Sequence, residues 1–241
     1  MKPLTGRMPA EAVRSWSVPR LADDVRRRLL AIEDLTSTLS DAMDNLGIVG
    51  VVPASRLGCN LPGQRLVGQA VTVRNVERSD SPSEAARTGK GSMGEQEAYN
   101  QADPGDVIVI EGLADVSNMG GNSATLAHRS QCAGAVIDGS HRDPAVSRGL
   151  GFPIWSRGAT PITGKWRLRT VEINGPVRIG GVTVQAGDMV CADEAGVVFI
   201  PHARVEDVLQ ESERIDAGDV KQRADIAAGE SLAAIAGRKY K

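Results

Sequence analysis

Aromatic side chains are scarce in this chain: two Phe, two Tyr and three Trp in 241 residues. Proteins that stack nucleic-acid bases need such rings. The formal net charge of −2 also gives no basic field for a phosphate backbone or an anionic membrane. The composition therefore predicts neither nucleic acid nor membrane as a partner. Long apolar runs are missing as well, none approaching the ~20 residues that cross a bilayer. Cysteine is sparse, and Cys59, Cys132 and Cys191 are odd in number and far apart. No pair has the spacing of a zinc site, so all three read as free thiols in a reducing compartment. The opening Met1-Lys-Pro-Leu-Thr-Gly-Arg7 holds no apolar segment of signal-peptide type. The expected location is the cytoplasm.

What the chain has is an ordinary globular balance, 41% hydrophobic and 24% charged, at a length that suits one large domain or two small ones. No internal repeat or low-complexity segment divides it. Residues 1–18 read as a loose leader. Leu21, Val25, Leu29 and Ile32 recur at helical spacing, with the charged run Asp23 to Arg28 on the solvated face. Thr36 or Ser37 can cap a second helix that stops at Gly47. Gly68 to Val76 alternates like a strand, 80–94 reads as a polar loop and Glu95 to Ala102 as a short helix. From Thr170 the texture changes to short β runs with two-residue turns at Asn174-Gly175 and Gly180-Gly181, which predict hairpins. Two more strands follow, Asp188 to Ala192 and Val197 to Ile200. The expected division is a leader at 1–18, one α/β domain at 19–218 and a helical tail at 219–241.

The centre of the chain carries the chemistry. Val107-Ile-Val-Ile110 is a short apolar run, followed by Gly120-Gly121-Asn122-Ser123 and a helical pattern to Cys132. A second run, Gly134-Ala-Val-Ile137, leads into Asp138-Gly139-Ser140-His141-Arg142-Asp143. The order is strand, loop, helix, strand. If the strands are parallel neighbours, a right-handed crossover joins them. Both strand ends and the helix N-terminus then share the sheet edge where open α/β folds bind ligands. The amides near Asn122 and the guanidinium of Arg142 would face one small anion, with Asp143 beside it.

Each of these residues has a plainer reading. Gly120 and Gly121 let a ligand approach free helix amides, or simply make a tight turn capped by Asn122. Arg142 offers a planar fork to a carboxylate, and Asp143 a hard oxygen to Mg²⁺ or Mn²⁺. The pair also fits a surface ion pair, with Asp143-Pro144 as a helix start. His141 adjoins Arg142 at the strand end and is the histidine best placed as acid or base. His128 and His202 fit surface and loop positions. Asp193-Glu194 offers metal ligands but suits a turn better. Lys90, between Gly89 and Gly91, offers a cation to a substrate, although no Ser or Thr follows it as in a phosphate-binding P-loop.

The segment from Leu35 to Pro201 resembles the family of 4-hydroxy-4-methyl-2-oxoglutarate aldolases and regulator-of-ribonuclease-activity-A-like proteins. The residues that carry the resemblance are Thr36-Ser-Thr-Leu-Ser-Asp41 with Leu46-Gly47, Gly68-Gln-Ala-Val-Thr72 and Pro104-Gly-Asp106. Ala133-Gly-Ala-Val-Ile-Asp-Gly139, Arg142-Asp143, and Asp193-Glu-Ala-Gly-Val197 with Pro201 complete it. The resemblance implies an α/β sandwich around a central swivelling β/β/α unit, a single domain with helical termini. It implies a homotrimer, or a homohexamer of two trimers, with active sites between subunits. It also implies a divalent metal, Mg²⁺ or Mn²⁺, and cleavage of a small 2-oxo acid to pyruvate, with oxaloacetate decarboxylation as a side activity. Arg142 would hold the pyruvate moiety and Asp143 the ion. The amides of Asn122 and Ser123, after Gly120-Gly121, would bind the carboxylate.

One position departs from the pattern. The active aldolases of the family carry an Asp or Glu twenty-two positions before the Asp of Arg-Asp, and this chain has Gly121 there. His141, Glu95 and Glu97 are the residues left to supply that acid. Without one, the resemblance implies a catalytically impaired, regulator-like binding protein, or a different lyase or hydrolase reaction on the same scaffold.

Overall fold

The computed structural model describes residues 2–15, 19–89 and 91–240. In chain order, α1 (Asp23–Ala31) and α2 (Leu35–Asn45) precede β1 (Val51–Pro53), β2 (Gly58–Cys59) and the long β3 (Leu66–Glu77). Next come α3 (Pro82–Thr88), α4 (Gln96–Gln101), β4 (Val107–Glu111), α5 (Gly121–Arg129), β5 (Gly134–His141), α6 (Pro144–Gly149) and β6 (Ile154–Ala159). Five short strands follow: β7 (Leu168–Ile173), β8 (Val177–Ile179), β9 (Val182–Val184), β10 (Met189–Asp193) and β11 (Gly196–Ile200). Last are α7 (Val205–Ala227) and α8 (Leu232–Gly237).

The main sheet runs β1-β11-β10-β3-β4-β5-β6-β2, with β7 paired to the far half of β3. Strands β3 to β6 are parallel and the flanking strands antiparallel. This is a single mixed α/β domain with a curled mixed sheet and helices packed on it. Strand β4 shows why the sequence folds so. Its four apolar residues alternate between two layers: Ile108 and Ile110 join Ala124 and Ala127 of α5, while Val107 and Val109 join Trp155 and Phe199. A strand covered on both faces reads as a continuous apolar run. Val107 lies opposite Gly134 and Ile110 opposite Ile137, so β4, α5 and β5 form the expected crossover unit. A third cluster packs α1, α2 and α7 on β10 and β11 through Leu29, Leu39, Met43, Val198 and Leu209.

Several expectations are corrected. The described part of the leader is not loose. Met8 and Val13 are buried in the same cluster as α5, and the Arg14 amide donates to the Ile173 carbonyl. Lys2 pairs with Asp103, and Thr5 is held by Glu97. Apolar residues between polar ones gave no period there, because the segment packs one side chain at a time. The boundary at 218/219 falls inside α7. The loop at 80–94 contains α3, capped by Ser81, whose Oγ accepts the Glu84 amide. Asn174-Gly175 joins β7 to β8 without a hairpin, since β7 pairs with β3; the hairpin is β8–β9. Lys90 lies outside the described residues.

Candidate functional site

Helix α5 has no side-chain cap of its own. Its first three amides, from Gly121, Asn122 and Ser123, have no partner one turn earlier, because the ladder begins with the Ala124 amide on the Gly120 carbonyl at 2.9 Å. Asp143 supplies the missing acceptor from the next loop. Its Oδ2 takes the Gly121 amide at 2.9 Å and lies 3.3 Å from Arg142 Nε. To reach it, Asp143 takes φ 58° and ψ 52°, a left-handed conformation uncommon outside glycine. Pro144 then starts α6. The plainer reading of Arg-Asp holds: Asp143 caps α5 and opens α6, and the ion pair lines a cleft.

That cleft has a volume of about 550 Å³. Gly120, Gly121, Asn122, Ser123, Arg142 and Asp143 line it together, so the structure gathers these predicted residues in one place. The Asn122 and Ser123 amides remain for a ligand. A side chain at Gly120 would stand 3.3 Å from Asp143 Oδ2 and 3.6 Å from an Arg142 terminal nitrogen, so it would press on the ion pair. Asn118 fixes the loop before α5. Its amide group donates to the Leu113 carbonyl at 2.9 Å and its Oδ1 accepts from Asn75 at 3.3 Å.

His141 is not part of this cleft. It lines a separate cavity, with Nδ1 2.9 Å from Ser156 Oγ. The cause is a register shift in the β5–β6 ladder between Ile137 and Ser140, which turns the strand end. Burial holds its pKa below the ordinary value. Glu97 is likewise spent elsewhere, accepting from Thr5, Asn100 and Gln101.

Glu95 does reach the cleft. It is 4% exposed. One carboxyl oxygen accepts from Ser123 Oγ at 3.0 Å, and the other has no partner among the described residues. Burial raises its pKa, against the Ser123 hydroxyl and the charge of Arg7. The buried Tyr99 hydroxyl, also without a hydrogen-bond partner among the described residues, neighbours both Ser123 and Glu95. Arg7 and Lys165 complete the cleft wall. Sequence reasoning missed both, since they come from the leader and the β6–β7 loop.

The sequence profile of the RraA-like family, Aldolase/RraA, matches residues 36–199. The chain belongs to that family. A relative of this RraA-like chain in Halalkalibacterium halodurans, provisionally named 4-hydroxy-4-methyl-2-oxoglutarate aldolase, is 33% identical over 180 residues, covering 72% of this chain and 84% of that protein. The crystal structure of an uncharacterized protein from Pseudomonas syringae superimposes with a TM-score of 0.76 at 26% identity, over 90% of this chain and 99% of that one. Streptomyces coelicolor RraAS2, described as an unusual member of the RNase ES inhibitor RraA family, shares the fold with a TM-score of 0.67 at 24% identity, over 88% and 99% of the two chains. Among the described residues of the RraA-like chain, no helix is long and apolar enough to cross a membrane.

Proposed function

We propose that this chain is a carbon–carbon lyase that cleaves a small 2-oxo dicarboxylic acid to pyruvate. The observation that carries the reading is the convergence in one cleft of Arg142, the open α5 amides, Asp143 and the buried carboxyl of Glu95. Arg142 and the amides of Asn122 and Ser123 would bind the substrate carboxylate and the charge of the pyruvate enolate as the C–C bond breaks. Glu95 would take the proton of the substrate hydroxyl and return it to the enolate carbon, so that atoms balance over the cycle. That role replaces the acid missing at Gly121.

A metal fits this site only in a limited way. Among the described residues no three His, Cys, Asp or Glu side chains cluster around one point. Asp143 has one oxygen engaged and a side chain 41% exposed, so it would give a hard ion one protein ligand, with water and substrate supplying the rest. Mg²⁺ or Mn²⁺ suits such a site, and when bound it would polarise the substrate carbonyl.

Gly121 favours a second reading, a binding protein without turnover. Incubation with Mg²⁺ or Mn²⁺ and either 4-hydroxy-4-methyl-2-oxoglutarate or oxaloacetate, followed by pyruvate assay, separates the two. Pyruvate release that Arg142→Gln abolishes is expected. Oxalate binding with no pyruvate from any such acid would leave the binding protein.

A further inference from the structure

Three polar side chains meet inside the core: Asn75 on β3, Thr170 on β7 and Asn118 in the loop before α5. They form a hydrogen-bonded chain. Thr170 Oγ1 is 2.8 Å from Asn75 Oδ1, and Asn75 Nδ2 is 3.3 Å from Asn118 Oδ1. At the other end the Gly94 amide lies 2.8 Å from the same Thr170 hydroxyl. Backbone groups fix the direction of each bond. The Leu113 amide donates to Asn118 Oδ1, and the Leu113 and Val116 carbonyls accept from its Nδ2. Asn118 Oδ1 therefore accepts from Asn75 Nδ2, which turns Asn75 Oδ1 toward Thr170. Thr170 gives that oxygen its one hydrogen and takes the Gly94 amide on a lone pair. A hydroxyl does both, and a methyl does neither.

The surrounding backbone makes room for this chain. A Cβ at Gly112 or at Gly139 would collide with the Asn118 carboxamide, which gives Gly139 of the Asp138-Gly139 pair a steric role. The β3–β7 ladder shifts register between Arg74 and Asn75, an irregularity of the kind that re-aims a strand side chain. The Thr170 amide also donates to the Ser92 carbonyl at 3.0 Å, so one residue of β7 holds the segment before Glu95 at two points. A buried polar chain rigidifies its surroundings only when its members are paired. Each polar atom of these three side chains has a partner.

Both ends of the chain lead to the cleft. Gly94 adjoins Glu95, and Asn118 lies two residues before Gly120 at the start of α5. Glu95 closes the circuit by accepting from Ser123 Oγ at 3.0 Å. Thr170 itself is not among the residues that line the cleft, so it acts through its neighbour. We propose that Thr170 is a positioning residue: through the Gly94 amide it holds the Glu95 carboxyl at a set distance from the open α5 amides, with Asn75 and Asn118 as the rigid link. The use made of Glu95 rests on the lyase reading, and the link does not.

Thr170→Val keeps the shape of the side chain and removes the hydroxyl. In the full chain with Mg²⁺, kcat for pyruvate release from 4-hydroxy-4-methyl-2-oxoglutarate is expected to fall at least about tenfold, the effect of a displaced reacting group. Oxalate affinity, measured by calorimetry, is expected to stay within about twofold, because Arg142 and the α5 amides keep their own supports. Thr170→Ser restores the hydroxyl and is expected to return kcat to within about threefold of the parent. Hydrogen exchange at the Gly94 amide is expected to speed up at least about tenfold in the valine variant and not in the serine variant. Thr170→Cys, with a weakly accepting sulfur, is read in the same way if the valine variant does not fold. A parent that yields no pyruvate removes the lyase reading alone, and Gly94 exchange then decides the link: faster exchange supports it and unaltered exchange refutes it. Unchanged kcat in a folded Thr170→Val, equal losses of kcat and oxalate affinity, or a serine variant as slow as the valine one would each overturn the proposal.

Discussion

At the scale of single residues, Glu95 sets function against stability. A carboxyl whose pKa is raised in the fold keeps its proton to higher pH there than in the unfolded chain. The folded state therefore binds more protons in that window, and stability falls as pH rises through the folded pKa. Glu95→Gln removes the ionisation. The variant is expected to match or exceed the parent in melting temperature above pH 7 and to lose about 10²–10⁴-fold in pyruvate release. Equal turnover in the variant would take the proton-transfer role away from Glu95. Gly121 is constrained by space and not by a positive φ. A Cβ there would meet Val146 Cγ2 at 3.0 Å and Asp143 Cβ at 3.2 Å. Gly121→Asp is expected to cost about 1–3 kcal/mol through overpacking, measured by denaturant melts, and Val146→Ala should recover most of the loss. The residue identities in the site were readable only in part. Arg142 and Asp143 stand out as a dipeptide at a strand end. His141 misled because a slip in ladder register cannot be read from period-two alternation.

At the scale of elements, α2 and α5 share a device. Neither has a side-chain cap from its own N-cap residue, and each takes an aspartate from a distant segment. Asp193 accepts the Thr36 amide at 2.9 Å and its hydroxyl at 2.5 Å. Asp143 accepts the Gly121 amide at 2.9 Å. The Asp193-Glu194 turn is thus structural, with Glu194 holding the Gly63 amide. Asp143→Asn keeps an oxygen for the α5 amide and should melt close to the parent while losing metal-dependent turnover. Asp143→Ala removes the acceptor and should also cost roughly 0.5–2 kcal/mol. Retained turnover in the Asn variant would show that no ion at Asp143 matters. The β4–α5–β5 unit was legible because its apolar runs, glycines and helical period agree. Helix α3 was not, since Ser81-Pro-Ser-Glu84 has the composition of a loop while its spacing is that of a cap.

At the scale of the whole molecule, we propose the trimer or hexamer that the family resemblance implies, which would place cleft residues near a neighbouring copy. Light scattering at micromolar concentration is expected to give three or six times the 25.4 kDa of one chain. A monomer mass would discard the proposal. The strand–helix–strand order at the centre of the chain followed from the pattern of runs, but the place of the N-terminal segment did not. Its contribution comes from a few isolated side chains, Met8 and Val13 among them, meeting surfaces that only the finished fold creates.

One of those meetings has an outcome for how the sequence can change. A Cβ at Gly94 would fall well inside contact distance of Met8 Sδ and 2.7 Å from its Cγ. Position 94 and position 8 are therefore not free to vary separately, although they stand 86 positions apart along the numbering. Gly94→Ala alone should be poorly tolerated, Met8→Ala alone should leave a void, and the double variant should be less damaging than their sum. Because Gly94 adjoins Glu95, a double-mutant cycle read on both stability and turnover would measure how far the start of the chain is coupled to the carboxyl of Glu95.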